Sequence, residues 1–217
     1  MKSGTTISIR GEELLLLPQR ALFWKRRNAL LIADVHLGKS GHFRKHGIAL
    51  PSAVHHDDLH RLSQLIETSG AERIFLLGDL FHSQHNLEWN HFISWRNSFP
   101  SEEIHLIKGN HDILDEQLIH EAGLILHHRQ LTEAPFTLVH MKSEENYSGF
   151  ELCGHIHPAI RLSGKGRQSV SLPCFWFGKN FGVLPAFGGF TGNAGISPMR
   201  DDRVFFIVGD SVSEHVG

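Results

Sequence analysis

The chain has 217 residues, 41% of them hydrophobic, and a formal net charge of −2 at pH 7. This length supports one substantial hydrophobic core and predicts a single domain over residues 1–217 with no separate capping domain. The near-neutral charge argues against tight nonspecific binding of nucleic acid. There is no secretory apolar segment at the N-terminus, the apolar runs are too short to cross a bilayer, and there are only two cysteines. These features predict a soluble, cytoplasmic protein with no membrane partner.

The first half of the chain alternates short apolar runs with segments of helical periodicity. The predicted elements are, in chain order, a strand at 29–33, a helix at 52–69, a strand at 73–77, a helix at 87–98, a strand at 104–107 and a helix at 114–121. Strands that alternate with helices imply right-handed crossovers and a largely parallel sheet.

After about residue 124 the pattern becomes one of successive strands joined by Gly- and Pro-rich segments. The predicted strands are 124–126, 136–139, 151–153, 159–162, 168–172 and 204–208. Gly164-Lys165-Gly166 is typical of a hairpin turn. An α/β half followed by a β-rich half predicts an α/β fold made of a two-sheet β-sandwich flanked by helices.

Short polar clusters occur where the apolar runs end. They are Asp34-Val35-His36, Gly78-Asp79-Leu80-Phe81-His82, Gly109-Asn110-His111-Asp112, His140 and Gly154-His155-Ile156-His157. Carboxylate, imidazole and carboxamide groups suit hard or borderline divalent metals. Because ligands gather at the carboxyl ends of the strands in such sheets, we predict a single site assembled from distant parts of the chain.

Each cluster taken alone has a structural alternative. Asp34 or Asp79 could cap a helix, Asn110 could occupy a turn, and His140 could be a buried, hydrogen-bonded histidine. Together these alternatives require several independent coincidences at one edge of one sheet. We therefore interpret the clusters as a two-metal centre that hydrolyses phosphate esters.

The clusters resemble the motifs of the calcineurin-like metallophosphoesterases. Those motifs run D-x-H, G-D, G-N-H-[DE], H and G-H-x-H, and all five occur here in that order. One departure is Met141, where many relatives have glycine after the fourth-motif histidine. The segments 20–24, 36–39, 172–177 and 183–191 are similar to one subfamily, the bacterial DNA-ligase-associated metallophosphoesterases. The similarity covers nearly the whole chain.

The resemblance implies a role for each site residue. The first metal is held by Asp34, His36 and His157, the second by Asn110, His140 and His155, and Asp79 bridges the two. A metal-bridging hydroxide attacks phosphorus in line with the leaving group. His111 contacts the phosphate or protonates the leaving oxygen, and Asp112 orients that imidazole.

The family also suggests cofactors and partners. Two divalent ions are expected, with Mn²⁺ favoured and Fe or Zn²⁺ as alternatives. Independently of the family, Lys39 and Arg44 are candidate substrate-binding residues because they follow the first motif. His82 is either a supporting residue or a structural one. The implied substrate is DNA or a related nucleotide diester in DNA repair, alongside a DNA ligase and a helicase. The oligomeric state stays open.

Two other functions fit the same residues. The near-neutral charge and the lack of a capping insertion are compatible with a small-molecule phosphatase or a cyclic-nucleotide phosphodiesterase. A non-catalytic metal-binding scaffold is the third hypothesis, with Phe175-Trp176-Phe177 as a contact surface unless these aromatics pack in the core.

Overall fold

The computed structural model describes residues 4–37, 53–81, 87–144, 148–164, 168–189 and 191–216. Lys39, Arg44 and His82 lie outside these ranges. No helix in the described ranges is both long enough and apolar enough to span a membrane.

The first sheet has seven strands in the order β1 to β7, with the helices inserted between the later strands. In chain order its elements are β1 Thr5–Ile9, β2 Glu12–Leu17, β3 Ala21–Trp24, a 3-10 helix Lys25–Arg27, β4 Ala29–Ile32, α1 Ala53–Ser69, β5 Arg73–Leu76, α2 Leu87–Arg96, β6 Glu103–Ile107, α3 Glu116–Glu121 and β7 Leu124–His127. Strands β1 to β4 pair antiparallel, whereas β4 to β7 pair parallel. The parallel half carries the crossovers that the sequence predicts.

The second sheet has nine strands and is mixed. Its strands are β8 Gln130–Glu133, β9 Phe136–Val139, β10 Phe150–Cys153, β11 Pro158–Ser163, β12 Ser169–Phe177, β13 Phe181–Val183, β14 Ala194–Gly195, β15 Arg203–Val208 and β16 Ser211–His215. Strand β10 pairs parallel with β9 and with β13. Strands β11 and β12 pair antiparallel across the predicted hairpin turn.

Two hydrophobic layers hold the sheets and helices together. Leu31, Phe75, Leu138 and Phe175 lie in the layer between the two sheets. The opposite face of the first sheet packs against the helices, through a cluster that includes Phe92 of α2. Sheet packed on sheet, with helices on one outer face, agrees with the predicted α/β sandwich.

Strand β12 extends past the predicted end at residue 172, through Pro173 to Phe177. Phe175 and Phe177 are buried in the layer between the sheets, while Trp176 packs in clusters on the other face of the second sheet. The aromatic run is therefore divided by strand alternation. Two of its rings belong to the core.

Candidate metal centre

Five strand ends bring the predicted ligands to one edge of the sandwich. Asp34 and His36 follow β4, Asp79 follows β5, Asn110 follows β6, and His140 follows β9. His155 and His157 follow β10.

Backbone hydrogen bonds tie these loops to one another. His36 N donates to Asp79 O at 2.9 Å, Asp34 N donates to Gly78 O at 3.2 Å, and Gly154 N donates to His140 O at 3.0 Å. The ligand-bearing loops therefore hold each other in place independently of any ion.

Asp34, His36 and His157 form a first cluster of candidate ligand atoms. The Nε2 atoms of His36 and His157 lie 3.3 Å apart, and Asp34 Oδ1 is 3.6 Å from His157 Nε2. Asp34 and His36 are buried, and His157 is half-buried. The set combines one carboxylate oxygen with two imidazole nitrogens.

Asp79, His140 and His155 form a second cluster beside the first. Its closest approaches are 3.1 Å between His155 Nδ1 and His140 Nε2, and 3.5 Å between Asp79 Oδ2 and His140 Nε2. Asn110 extends this cluster, because its Oδ1 lies 3.0 Å from His140 Nε2. The same Asp79 Oδ2 is 3.9 Å from His36 Nε2, so one carboxylate oxygen faces both clusters.

The proton positions of two histidines leave lone pairs pointing into the clusters. His140 Nδ1 donates to Leu77 O at 2.9 Å and His157 Nδ1 donates to Gly192 O at 3.0 Å. In a neutral imidazole the Nε2 atom is then an acceptor. His140 Nε2 and Asn110 Oδ1 are therefore both hydrogen-bond acceptors, although they lie close together. A cation bound between them would stabilise this arrangement.

Asp34 supplies an independent indication that a cation belongs here. Its Oδ2 accepts a hydrogen bond from His155 N at 2.8 Å, whereas the buried Oδ1 has no hydrogen-bond partner in the described part of the chain. A buried carboxylate oxygen without a donor is costly, and coordination to a cation would remove that cost. The residues present therefore fit a pair of divalent ions.

The electrostatics favour the neutral imidazole that a metal requires. Burial, and next the neighbouring His140, lower the pKa of His155 below its usual value. Lowering that pKa reduces competition between protons and a metal for the ring nitrogen.

The backbone is left-handed at five of these ligands. The φ angles are 54° at Asp34, 53° at His36, 52° at Asp79, 68° at His155 and 53° at His157. Non-glycine residues rarely adopt such angles, because each costs on the order of 1–3 kcal/mol and persists only where its surroundings enforce it. Concentration of this strain in one place is characteristic of a functional site.

Three glycines leave room for the crowded side chains. A Cβ atom on Gly78 would overlap the His140 ring, and one on Gly109 would overlap Asp79. A Cβ on Gly154 would lie 2.5 Å from Asp34 Oδ2. The glycines in the motifs are therefore required by close approach to ligands.

His111 and Asp112 occupy different environments. The exposed His111 ring lies 5.8 Å from the His36 ring, centroid to centroid, and His111 N donates to Asp79 Oδ1 at 2.9 Å. The buried Asp112 carboxylate accepts from the backbone N–H groups of Asp79, Gly109 and Phe81 at 2.9–3.0 Å. Burial raises the pKa of the Asp112 carboxyl to about 6, although these donors lower it. These three contacts make Asp112 a residue that positions the Asp79 loop.

A supporting loop was not predicted from the sequence. In its described residues, 186–189 and 191–192, Gly188 N donates to Asp34 O at 3.1 Å, and Gly192 O accepts from His157. Helix α1 holds this loop, since both Asp58 carboxylate oxygens accept from Gly189 N at 3.1 and 3.2 Å and Arg61 donates to Phe187 O. One feature of the sequence could have indicated this anchor: Asp58 is a charged residue among the apolar residues of α1, and the structure shows that it is buried.

The fold was compared with solved structures. The crystal structure of the nuclease MPE from Pseudomonas putida matches with a TM-score of 0.80 and 28% sequence identity, over 98% of this chain and 100% of that chain. The phosphoesterase Yfce from E. coli matches far more loosely, with a TM-score of 0.45 and 14% identity over 86% of this chain and 97% of that one. Neither a protein-family model nor a curated protein sequence matches. The similarity to the Pseudomonas protein confirms the predicted fold class.

Proposed function

We propose that this chain, which is a calcineurin-like metallophosphoesterase and hence a metal-dependent phosphoric ester hydrolase, cleaves phosphodiesters with a binuclear centre. The proposed substrate is DNA or a related nucleotide diester in DNA repair. The observation that carries the proposal is the pair of ligand clusters with Asp79 Oδ2 directed at both. Isolated metal sites do not require a shared carboxylate.

The proposed ligands are those implied by the motifs. Asp34, His36 and His157 would hold one ion, Asn110, His140 and His155 would hold the other, and Asp79 would bridge them. Only oxygen and nitrogen donors are present, which suits Mn²⁺ and also permits Fe or Zn²⁺. When bound, such a pair of ions activates water and neutralises charge on the phosphate.

The chain's own residues supply the remaining chemistry. His111 is exposed beside the first cluster, where a substrate phosphate can reach its ring. We assign it to binding the phosphate and donating a proton to the leaving oxygen. Asp112 keeps the Asp79 and Gly109 backbones in register, so it acts on the reaction through Asp79. Lys39 and Arg44 stay proposed substrate contacts.

A nucleic-acid substrate is supported by the similarity to the Pseudomonas putida nuclease, which covers 98% of this chain and 100% of that chain. A role beside a DNA ligase and a helicase is a further part of the proposal and rests on the family resemblance. A cytoplasmic location is also proposed, because the chain has only two cysteines. The net charge of −2 keeps a small phosphate ester as the competing substrate class.

The proposal is tested with Asp79→Asn in the presence of Mn²⁺ and a chromogenic phosphodiester. We expect the substitution to abolish turnover, since an amide oxygen is a weaker bridging ligand than a carboxylate. The control is Asp115→Asn, the same change at an exposed helix cap where asparagine is equally suitable. Equal turnover in wild type and Asp79→Asn would refute the mechanism.

A substrate panel separates the two substrate classes. Wild-type turnover is compared on single-stranded DNA, cyclic nucleotides and mononucleotides. We expect the diesters to be preferred. A strong preference for monoesters would favour the small-molecule phosphatase, and a fully metal-loaded protein that hydrolyses none of them would favour the scaffold.

A further inference from the structure

Arg20 is a partly buried arginine in the turn between β2 and β3, and it belongs to neither ligand cluster. Its turn lies at the ligand-bearing edge, because the start of β3 pairs with the end of β4. The guanidinium Nη1 donates to two carbonyls of the supporting loop at 186–192, Ala186 O at 3.2 Å and Gly188 O at 3.4 Å. The backbone of Arg20 is left-handed, with a φ of 64°. Such an angle persists only where the surroundings enforce it, and the contacts with the loop contribute to this.

The part of the loop that accepts from this guanidinium lies against the first ligand cluster. Phe187 N donates to Ala33 O at 2.8 Å, and Gly188 N donates to Asp34 O at 3.1 Å. The packing is close, since a Cβ atom on Gly188 would overlap Val35 O. A shift of the loop would therefore be transmitted directly to Asp34, a proposed ligand of the first ion.

The same loop reaches a second ligand of the first cluster. Thr191 Oγ1 donates to Gly188 O at 2.9 Å, so this carbonyl accepts from both Thr191 and Arg20. The carbonyl of the next residue, Gly192, accepts from His157 Nδ1 at 3.0 Å. A hydrogen bond at Nδ1 fixes the orientation of the ring and leaves Nε2 free to bind a metal.

The second ligand cluster is supported by other parts of the chain. His140 Nδ1 donates to Leu77 O at 2.9 Å, and Asp112 accepts from Asp79 N at 2.9 Å. Among the hydrogen bonds of the described loop residues, none joins the loop to a ligand of the second cluster. The supports of the two clusters are therefore largely separate.

The positive charge of Arg20 is balanced by a carboxylate. Burial lowers the pKa of the Arg20 guanidinium below its usual value, whereas the neighbouring Asp58 raises it. The guanidinium is still protonated at neutral pH. Hydrogen bonds from a charged donor are stronger than those from a neutral one, so Arg20 is suited to fixing the carbonyls of the loop.

We propose that Arg20 is a positioning residue that sets the affinity of the first ion, the one held by Asp34, His36 and His157, without contributing to the site of the second ion. The inference rests on the proposed binuclear centre, which it deepens by giving the two ions separate supports. Arg20 acts through the loop carbonyls on the Asp34 backbone and on the His157 ring. Loss of a residue that orients metal ligands weakens metal binding by roughly 10- to 100-fold.

The test counts the ions bound by Arg20→Met, a substitution that removes the donors and keeps a long side chain. Isothermal titration with Mn²⁺ gives the number of ions and their Kd values, and EPR distinguishes a coupled pair of ions from an isolated ion. The control is Arg96→Met. Arg96 is also partly buried and donates to backbone carbonyls, those of Phe99, Glu102 and Gly123, near the starts of β6 and β7. These strand ends are opposite to the metal ligands.

We expect wild type to bind two Mn²⁺ ions that give a coupled EPR spectrum. Arg20→Met should bind one ion about 10- to 100-fold more weakly and the other with the Kd of wild type. At a Mn²⁺ concentration that just saturates wild type, its spectrum should be that of an isolated ion. Anomalous diffraction should place this ion among Asn110, His140 and His155.

Two further variants separate positioning from general stability. Arg20→Lys should recover part of the affinity, because an ammonium group can still donate to one of the loop carbonyls. Arg96→Met should bind both ions as wild type does, although loss of its hydrogen bonds should lower the urea concentration at which it unfolds.

Three results would overturn the proposal: unchanged Kd values in Arg20→Met, an equal loss of both ions, or the same loss in Arg96→Met. If Arg20→Met fails to fold, Thr191→Val decides, because it removes the hydroxyl that donates to Gly188 O and should also weaken only the first ion. Fewer than two ions in wild type would refute the binuclear centre itself and this inference with it. The wild-type titration therefore distinguishes the two failures.

Discussion

At the scale of single residues, the ligand loops combine strain with contacts that enforce it. The left-handed Asp34 is held by hydrogen bonds to its N–H, its carbonyl and its Oδ2. Asp79 is held at its N–H by Asp112 and at Oδ1 by His111 N. The strain is therefore borne by the surrounding loops, and the ligand atoms are directed at one another before an ion binds.

The close approach of Gly154 to Asp34 leads to a prediction. Gly154→Ala should strongly reduce metal affinity and turnover, because the added Cβ would lie 2.5 Å from Asp34 Oδ2 and 2.6 Å from Ala33 Cβ. Isothermal titration with Mn²⁺ and the diester assay measure both effects. The control is Gly195→Ala, where a Cβ meets nothing within 4 Å. Equal losses in the two variants would contradict the steric explanation.

The residue types in the sequence were enough to predict much of the site. The backbone geometry of the site could not be predicted from them. Asp34, Asp79 and His140 could be placed at strand ends because apolar runs stop there. No sequence pattern indicated the left-handed backbone, or that Asp112 would accept three backbone hydrogen bonds. Such contacts depend on loops that are remote in the chain and meet only in the folded protein.

At the scale of elements, helix α1 stabilises the candidate metal centre through the loop that contains Gly188, Gly189 and Gly192. The Asp58 carboxylate accepts from Gly189 N and from Arg61, whose guanidinium lies over the Phe187 ring at 4.0 Å. The same loop contacts Asp34 and His157. A helix that carries no candidate ligand of either cluster thus helps to position two ligands, Asp34 and His157.

The contact between α1 and this loop can be tested with Asp58→Ala. The substitution removes the carboxylate that accepts from Gly189 N and from Arg61, and we expect it to lower the free energy of unfolding by about 1–3 kcal/mol. Metal affinity should also fall, because the loop loses its anchor. Urea unfolding measures the first effect and Mn²⁺ titration the second. Glu67→Ala, an exposed change on the same helix, is the control.

An unchanged metal affinity in Asp58→Ala would show that the loop keeps its position without α1. The unfolding measurement would still report the loss of the hydrogen bonds that Asp58 accepts. The two readouts therefore separate a positioning role from a purely structural one.

Elements with simple periodicity were predicted well, and the N-terminal antiparallel strands were missed. Strand β2 buries Leu15 and Leu17 against the helix-side cluster, and Leu14 and Leu16 between the sheets. A strand that is buried on both faces shows no alternation of apolar and polar residues. The leucines of β2 therefore form only a short apolar run in the sequence. Proline within an apolar run argues against a strand, so the sequence did not predict that β12 continues through Pro173 to Phe177.

At the scale of the whole molecule, packing shields both cysteine side chains from solvent. Cys153 and Cys174 are free and buried in the second sheet. Burial raises the pKa of Cys174 to about 12 and raises that of Cys153 further above its usual range. A thiol that is both inaccessible and protonated at neutral pH is a poor nucleophile.

We therefore expect neither thiol of the native protein to react with a chromogenic disulfide reagent at pH 8, and both to react in guanidinium. Modification under native conditions should proceed only as fast as the protein unfolds. Rapid reaction of either cysteine without denaturant would show that the second sheet opens locally, and would contradict the packing described for it.

The central claim is that one edge of the sandwich holds two cations, and anomalous diffraction from crystals soaked in manganese tests it most directly. We expect two anomalous peaks about 3.5–4 Å apart. One should lie among Asp34, His36 and His157, the other among Asn110, His140 and His155, with Asp79 between them. Absence of both peaks, or a single peak remote from Asp79, would contradict the account.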